Sequence, residues 1–356
     1  MFQEIEDPRA DNSTHDLASI LMISLLATIS GARNYSGMAE YAKLKQEFLA
    51  GFLPVADAVP SASTFQRVFR AMESEGMRGF YEDLVEAATT PGGLGQVCID
   101  GKVLRGSHDR AAGAAPLTMV SAWSSEDGLV LGQRAVEAGS NEITAVPELV
   151  ARLDLAGRLV TLDAMHTQRA TCEAILAKGG DYVLRIKDNQ PALFDGARAY
   201  VDGHSDDSTD SDVSVDAGHG RIETRTAHVP KEIGRLKNLS WPGLAAVGRI
   251  ERQREVRGIR TSEDAYYAMS RPLSAAELNT AARTHWEVEN KLHWRLDVQL
   301  SEDRCRARKD NAPENLAVLR HAVLAVLDQD PKKLSVENKR LKAALSESYL
   351  RSLFIR

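Results

Sequence analysis

Cysteine is scarce in this sequence. Its 356 residues include three cysteines, Cys98, Cys172 and Cys305, which lie far apart and form no C-x-x-C pair. An odd number of dispersed cysteines argues against both a disulfide framework and a zinc knuckle. The composition therefore favours a protein of the reducing cytoplasm.

Long hydrophobic runs are also missing. The longest apolar stretch, LASILMISLLATIS at 17–30, contains three serines and a threonine. It is shorter than the ~18 to 20 residues that a membrane-spanning helix needs. We therefore predict a buried core helix here and no membrane partner. The acidic residues before it disfavour a secretory signal.

The sequence has no overall excess of positive charge. It contains 44 Lys and Arg residues and 50 Asp and Glu residues, and its formal net charge is −6. The distribution is uneven. Residues 304–356 hold twelve basic and six acidic residues, a local charge of +6, and are predicted to form a basic C-terminal helical segment. Six aspartates lie within 201–218 among Ser, Gly and Thr, and this stretch is expected to form a solvated loop. A solvated face is the alternative for either cluster.

Hydrophobic patterning divides the chain into two parts. Apolar residues recur at helical spacing up to residue 90, which predicts a helical N-terminal domain over 1–90. After the linker TTPGGLG, three β-type runs in a meander and then alternating helices and strands predict an α/β fold over 91–356, a mixed sheet flanked by helices. Residues 188–273 are predicted as a β-rich insertion before a late helix at 274–298.

The third N-terminal helix, STFQRVFRAM, carries Arg67 and Arg70 one turn apart. A helix that follows a short turn in this way can lie against DNA, so the N-terminal domain is a candidate DNA-binding element. A surface arginine pair on a packing helix is the alternative interpretation.

Three acidic residues stand out in the α/β part. Asp100 lies on the first strand and Asp163 ends the strand LVTLDA, each among apolar residues, although a turn or cap residue is the alternative for an isolated Asp. Glu289 is predicted to lie in the middle of an apolar face of the late helix, with Glu287 as the reserve. A carboxylate there is costly unless it is paired or bound to metal. Phosphodiester chemistry can use two divalent ions held by a few such carboxylates.

Two histidines flank Glu289 on the same predicted face. His285 and His293 are eight residues apart, and zinc ligation by three positions two turns apart would exceed the short bond lengths of that metal. They are therefore interpreted as packing residues, with metal ligation as the alternative.

Several stretches together resemble one family, the ISAs1-group insertion-sequence transposases, also called H-repeat-associated proteins, within the DDE transposases. The N-terminal stretches HDLASILMISLLA and PSASTFQRVF look like the helical domain that precedes the nuclease in this group, and together with the later stretches they cover nearly the whole chain. The later stretches are IDGKVLRGS, GLVLGQRAVEAGSNEITAVPELV, LVTLDAMHTQ, GGDYVLRIKDNQP, GHGRIETR, HWEVENKLHWRLDVQLSEDRCRAR and NAPENLAVLRHAVL. The resemblance implies an RNase H-like catalytic domain in which Asp100, Asp163 and Glu289 match the acidic triad. The Tyr, Arg and Lys that accompany the Glu in IS4-type relatives correspond here to Ala282, His285 and Leu296.

The auxiliary roles of those three family residues cannot be transferred to this chain. Arg283, Lys291 or Arg295 are the nearby candidates for substituting them.

The resemblance implies a metal-dependent transposase that cleaves insertion-sequence ends and joins them to target DNA. It implies two Mg²⁺ ions at the triad, replaceable by Mn²⁺, with double-stranded DNA as the partner, a homodimer on DNA and a place on the bacterial nucleoid. Basic residues near the first Asp and after the late helix are candidates for phosphate contacts: Lys102, Arg105, Arg304, Arg306, Arg308 and Lys309. Surface residues without a ligand are the alternative. A domesticated, catalytically silent DNA-binding protein and an RNase H-like nuclease without strand transfer are the rival functions.

Overall fold

Nine strands in the described part of the chain form one mixed sheet. The computed structural model describes residues 5–9, 13–89, 95–137, 139–204, 206–218, 220–232 and 240–354. The strands are β1 (Gln96–Val103), β2 (Thr118–Ser124), β3 (Val130–Ala135), β4 (Leu159–Leu162), β5 (Asp181–Ile186), β6 (Thr209–Gly218), β7 (Arg221–Pro230), β8 (Ala246–Val256) and β9 (Ile259–Met269). Their spatial order is β3-β2-β1-β4-β5-β9-β8-β7-β6.

Strand direction follows the chain connections. The first three strands form an antiparallel meander, and β4 and β5 then add in parallel to β1, each after a helix that crosses the sheet. Strands β9 to β6 continue the same sheet in antiparallel order beyond β5. The predicted meander and mixed sheet flanked by helices are confirmed. The strands of 188–273 lie at one end of this sheet.

Twelve α-helices lie in the described residues. They are α1 (Leu17–Ile29), α2 (Tyr35–Leu44), α3 (Gln46–Ala50), α4 (Ala62–Ala71), α5 (Ser74–Glu86), α6 (Glu142–Arg152), α7 (Arg169–Ala177), α8 (Pro191–Asp202), α9 (Ala275–His285), α10 (Ala312–Asp328), α11 (Val336–Leu345) and α12 (Glu347–Ser352). Side chains of α6, α7 and α8 cover one face of the sheet. None of the helices in the described part of the chain is long and apolar enough to span a membrane.

The two ends of the chain share one hydrophobic core. The nearly fully buried helix α1, predicted as a core helix, packs in the same cluster as α4, α5 and the buried helix α10. Asn315 of α10 donates hydrogen bonds to the carbonyls of Phe69, at 3.1 Å, and Met72, at 2.8 Å. The N-terminal helices are therefore fastened to the helices that follow the late helical segment.

The prediction of a solvated loop over 201–218 was wrong. Residues 209–218 form β6, which pairs along its length with β7. Two of its aspartates accept hydrogen bonds from α9. Asp210 accepts one from the Ala275 amide at 2.7 Å, and Asp212 accepts one from Asn279 at 2.9 Å. These carboxylates bind donors at the start of a helix, where negative charge is favourable.

The late helix is less regular than its sequence predicted. Helix α9 ends at His285, and wide turns with i→i+5 hydrogen bonds follow at Glu289–His293 and Arg295–Gln299. Such turns hold more residues than α-helical ones, so the buried face is displaced. Trp286 and Glu289 are exposed while Val288 is buried, which corrects the predicted apolar face.

Candidate metal centre

Two of the predicted acids lie side by side at the end of neighbouring parallel strands. Ile99 of β1 pairs with Leu162 of β4, so the next residue on each strand is an aspartate, Asp100 and Asp163. Parallel strands lie about 4.8 Å apart. Side chains alternate between the two faces of a strand, so Asp100 shares the face of Cys98, on which α9 packs, while Ile99 faces the opposite core.

The wide turn after α9 brings a third acid and a histidine to this face. His293 Nδ1 lies 3.6 Å from Asp100 Oδ2 and 3.5 Å from Glu289 Oε2. One ligand atom from each of these three residues lies within 4.8 Å of the other two. Hydrogen bonding to His293 lowers the pKa of Glu289, and burial opposes this shift.

Asp163 is held by a different histidine. His285 Nε2 lies 3.6 Å from Asp163 Oδ1, and Nδ1 of the same ring is 3.1 Å from Thr161 Oγ1. Burial disfavours the imidazolium form, but the hydrogen bond to Asp163 and the contact with Cys98 outweigh it and raise the pKa of His285 to about 9. The same hydrogen bond holds the pKa of Asp163 below its usual range.

Asp100 is the most deeply buried of the three predicted acids. Burial raises the pKa of its carboxyl group, and the charge of His293 lowers it in part. His293 is the only ion-pair partner of Asp100 among the described residues. A buried carboxylate without a lysine or arginine partner is costly, and a bound cation would relieve that cost.

The donor atoms fit a divalent cation. Ligands on opposite sides of Mg²⁺ are about 4.2 Å apart, twice its bond length, so a small inward movement from the observed 4.8 Å limit suffices. Carboxylate oxygens suit hard cations and the imidazole nitrogen suits transition metals, so the three donors together are compatible with several divalent ions. Asp163 is not in this group of three, although strand pairing places it next to Asp100.

His285 and His293 contact the predicted acids, so their interpretation as packing residues was wrong. Each has a ring nitrogen within 3.6 Å of a predicted acid. Their spacing around Glu289 was the available signal, but a regular α-helix would not have carried His285 to one aspartate and His293 to the other. The first unforeseen wide turn, Glu289–His293, begins between them and ends at His293.

Lys102 does not present a free cation to DNA, contrary to the prediction. Its side chain is buried, and Nζ lies 2.7 Å from Asp297 Oδ1, 3.5 Å from Asp303 Oδ1 and 3.6 Å from Glu302 Oε2. These carboxylates outweigh the cost of burial and raise the pKa of Lys102. Lys102 therefore ties β1 to the segment that follows Glu289.

The proposed substitutes for the auxiliary residues of the family are all ion-paired. Arg283 pairs with Asp216 of β6, Lys291 Nζ lies 2.7 Å from Glu287 Oε2, and Arg295 Nη1 lies 2.9 Å from Asp328 Oδ2. Glu287, the reserve acid, is thus occupied by Lys291.

The remaining predicted cations lie on the surface. Arg105 is 82% exposed, with Nε 3.6 Å from Asp303 Oδ2, and Arg67 is exposed with Nε 3.4 Å from the Ser63 carbonyl. Arg70 Nε lies 2.6 Å from Asp310 Oδ2. Four further cations line one cavity together with Arg70: Arg304, Arg306, Arg308 and Lys309.

Two family models match the chain. A transposase DDE domain matches residues 91–326, and a domain associated with it matches residues 1–83. An "H repeat-associated putative transposase YhhI" of Escherichia coli K12 is 32% identical over 95% of this chain and 92% of its own length. A "Putative transposase YncI" of Escherichia coli O157:H7 is 33% identical over 94% of this chain and 88% of its own length.

An uncharacterised protein encoded in the dhlA 3′ region of Xanthobacter autotrophicus is 39% identical over 72% of this chain and 88% of its own length. A nine-stranded mixed sheet with acids at one edge is consistent with a nucleic-acid-processing enzyme of RNase H-like fold. The chain belongs to the DDE transposase family.

Proposed function

We propose that this protein is a metal-dependent transposase that cleaves DNA at the ends of its own insertion sequence and joins the freed 3′-hydroxyl to target DNA. The observation that carries this proposal is the approach of Asp100, Glu289 and His293 within 4.8 Å, beside the strand end that bears Asp163. A largely buried acid of β1 and an exposed acid just after β4 lie near an acid from a late helical segment. Membership of the DDE transposase family supports the same conclusion.

Each acid has a distinct setting in this proposal. Asp100 is fixed by its place inside β1 and supplies the most buried carboxylate. Asp163 and Glu289 are half exposed, so they can reach both the metal and the DNA. When bound, two divalent ions would activate the attacking oxygen and stabilise the leaving oxygen. His293 holds Asp100 and Glu289 together, and His285 orients Asp163.

The substrate in this proposal is double-stranded DNA, as for an ISAs1-type element, bound by a homodimer in the bacterial nucleoid. Arg105 and Arg67 are exposed cations that can reach phosphate groups. Phosphate contacts fix the position of the duplex without reading its sequence.

The test uses Asp163→Asn, which keeps the size of the side chain and removes its charge. Nicking and joining of end-containing DNA with Mg²⁺ or Mn²⁺ should fall at least about a hundredfold, because several kcal/mol of transition-state stabilisation are lost. Asp188→Asn is the matched control. Asp188 is an exposed aspartate just after β5, as Asp163 is just after β4, and its variant should keep full activity.

The outcomes separate the rival functions. Full activity of Asp163→Asn would refute the site assignment. Binding of end DNA by the wild-type protein without any nicked product would favour a silent DNA-binding protein. Cutting without strand transfer or end preference would favour a nuclease on the same fold.

A further inference from the structure

A cavity of about 620 Å³ lies between the N-terminal helices and the segment that follows the late helical turns. Its wall is strongly basic, although the chain as a whole is acidic. Six exposed or half-exposed cations line it: Arg33, Arg70, Arg304, Arg306, Arg308 and Lys309. Asp109 is the acid in the same lining. The excess of positive charge predicts an anionic ligand.

Part of this charge is already neutralised and part is free. Lys309 Nζ lies 2.7 Å from Asp109 Oδ2, and Arg70 pairs with Asp310. Within the described ranges, Arg33, Arg304, Arg306 and Arg308 have no ion-pair partner, and Arg308 Nε donates a hydrogen bond to the Gly106 carbonyl at 3.3 Å. Four unneutralised guanidinium groups around one cavity repel one another, and bound phosphate would remove that repulsion.

The segment that carries three of these arginines leaves a short helix. Arg304 is the last residue of the 3₁₀ helix Glu302–Arg304, and Cys305 after it has extended backbone angles. Cys305 and Ala307 pack against the hydrophobic core, and Arg306 and Arg308 between and after them are exposed. This alternation is that of an extended chain, in which alternate residues point to the same side and are about 7 Å apart. The spacing is comparable to that of consecutive phosphates along a nucleic-acid strand, so Arg306 and Arg308 can each contact one phosphate.

Tyr35 adds a neutral donor to the same cavity. Its hydroxyl oxygen is buried and has no hydrogen-bond partner among the described residues. Burial raises the pKa of this hydroxyl, so it stays a proton donor at neutral pH. An unpartnered buried hydroxyl costs free energy that an acceptor oxygen of a ligand would recover.

The cavity size limits what can enter. Pockets of 300 to 1,000 Å³ enclose ligands of drug size, so about 620 Å³ holds one or two nucleotides and cannot enclose a duplex. Glu302 connects the cavity to β1, the strand that carries Asp100. Glu302 has one carboxylate oxygen 3.6 Å from Lys102 of β1 and the other 3.6 Å from Arg320, which lines the cavity.

We propose that this basic cavity binds the phosphodiester backbone of one unpaired DNA strand, over one or two nucleotides. The proposal rests on the proposed function for the identity of the ligand as DNA. A free nucleotide carries the same phosphate chemistry, and the experiment below distinguishes the two sources.

The test compares the full-length wild-type protein with Arg304→Ala/Arg306→Ala in EDTA, so that no cleavage is required. Fluorescence anisotropy measures binding of a single strand of about 12 nucleotides and of a duplex whose ends are covalently closed. Salt is varied from about 50 to 200 mM. Arg254→Ala, which removes an exposed arginine of β8 outside the cavity, is the matched control. Tyr35→Phe removes only the unpartnered hydroxyl.

We expect the double variant to bind the single strand several-fold more weakly, with a salt slope smaller by about 1.4, because two contacts contribute about 0.7 each. Binding of the closed duplex should change less than about twofold, and the Arg254 control should match the wild type. Tyr35→Phe should weaken single-strand binding without changing the slope, since it removes no charge.

Three results would overturn the proposal. Equal weakening for the closed duplex would indicate a general basic surface, and unchanged single-strand binding would remove the cavity from DNA contact. ATP binding by the wild type and the double variant is measured in the same EDTA buffer, and its loss in the variant with unchanged single-strand binding would assign the cavity to a free nucleotide. Failure of the proposed function is a separate result, because it is the absence of metal-dependent nicking by the wild type and leaves these measurements intact.

Discussion

Replacing Lys102 by methionine should destabilise the protein far more than removing an ordinary surface lysine. The ammonium group is buried among the carboxylates of Asp297, Glu302 and Asp303, at 2.7 to 3.6 Å. Glu302 is itself only 2% exposed and keeps Arg320 as its remaining cationic partner, at 3.6 Å. Methionine preserves the length and apolar stem of the side chain, so the loss of charge is the main change.

Removing one partner of a buried charge cluster costs about 3–5 kcal/mol, because the other charges stay buried without compensation. An exposed ion pair contributes about 0–1 kcal/mol. Lys45→Met is the matched control, since Lys45 Nζ lies 2.9 Å from Glu347 Oε1 at the surface. The free energy of unfolding, measured by urea denaturation, should therefore differ by about 3 kcal/mol between the two variants.

The cost of Lys102→Met should also depend on pH. Burial raises the pKa of Glu302 in the wild type, and loss of the Lys102 charge raises it further in the variant. The folded variant then binds a proton more tightly than the unfolded chain, so its stability falls as pH rises through the folded-state pKa of Glu302. The difference from wild type should be smaller at about pH 5 than at about pH 8.

A double substitution tests whether the unpaired carboxylates cause the loss. Lys102→Met/Asp297→Asn removes the carboxylate that lies nearest to the missing ammonium group, at 2.7 Å, and leaves the Glu302–Arg320 pair in place. It should recover part of the lost stability, even though it contains one more change. A buried charge cluster at Lys102 is contradicted if Lys102→Met lowers the free energy of unfolding no more than Lys45→Met, or if its loss is the same at both pH values.

Two further substitutions test the packing around the site. In Gly106→Ala the new Cβ would lie 2.0 Å from the carbonyl oxygen of Cys305, so the segment 304–308 must move. We expect the free energy of unfolding in urea to fall by about 1–3 kcal/mol and single-strand binding to weaken. No loss in either measurement would contradict the close approach. Asn315→Leu leaves two backbone carbonyls at the end of α4 without their donor and should cost at least about 1–3 kcal/mol, whereas Asn338→Leu on the exposed side of α11 should be nearly neutral. Equal stability of these two variants would contradict the fastening role of Asn315.

The sheet part of the site was predictable because its signal is local. The apolar runs that end near Asp100 and Asp163 are short and β-branched, and the intervening helix is capped by Asn141, whose side chain accepts a hydrogen bond from Thr144 N. A strand, a crossover helix and a second parallel strand place the two aspartates at one edge. Predicting the two strands and predicting their parallel arrangement both use only residues in or near these elements.

The helical part was not predictable in the same way. Glu289 and His293 contact each other across a wide turn, and the apolar spacing of the sequence does not distinguish such a turn from an α-helical one. Lys102 looked like a surface residue because it follows an aspartate and a glycine. Its burial depends on Asp297, Glu302 and Asp303, which are about two hundred positions away in the sequence.

The wrong prediction of a solvated loop over 201–218 has the same physical cause as the wrong prediction for Lys102. Asp210 and Asp212 resemble loop residues by composition, yet β6 is stable because α9 supplies donors to their carboxylates. A composition rule counts charges and cannot include a helix that joins the strand from sixty positions later. Contacts with residues distant in sequence therefore explain both the formation of β6 and the burial of Lys102.

The position of Glu289 relative to the two aspartates is fixed by buried contacts and not by regular helix geometry. Leu292 and Leu296 anchor the wide turns in the core shared by the N-terminal helices and α10, and Lys102 ties the following segment to β1. Wide turns often occur at functional sites, where they reorient individual side chains. Here they allow His293 to contact both Asp100 and Glu289, while His285, just before them, stays with Asp163. We therefore expect substitutions that loosen the core of the N-terminal helices to displace the segment that carries Glu289, because Leu292 and Leu296 pack in the same core.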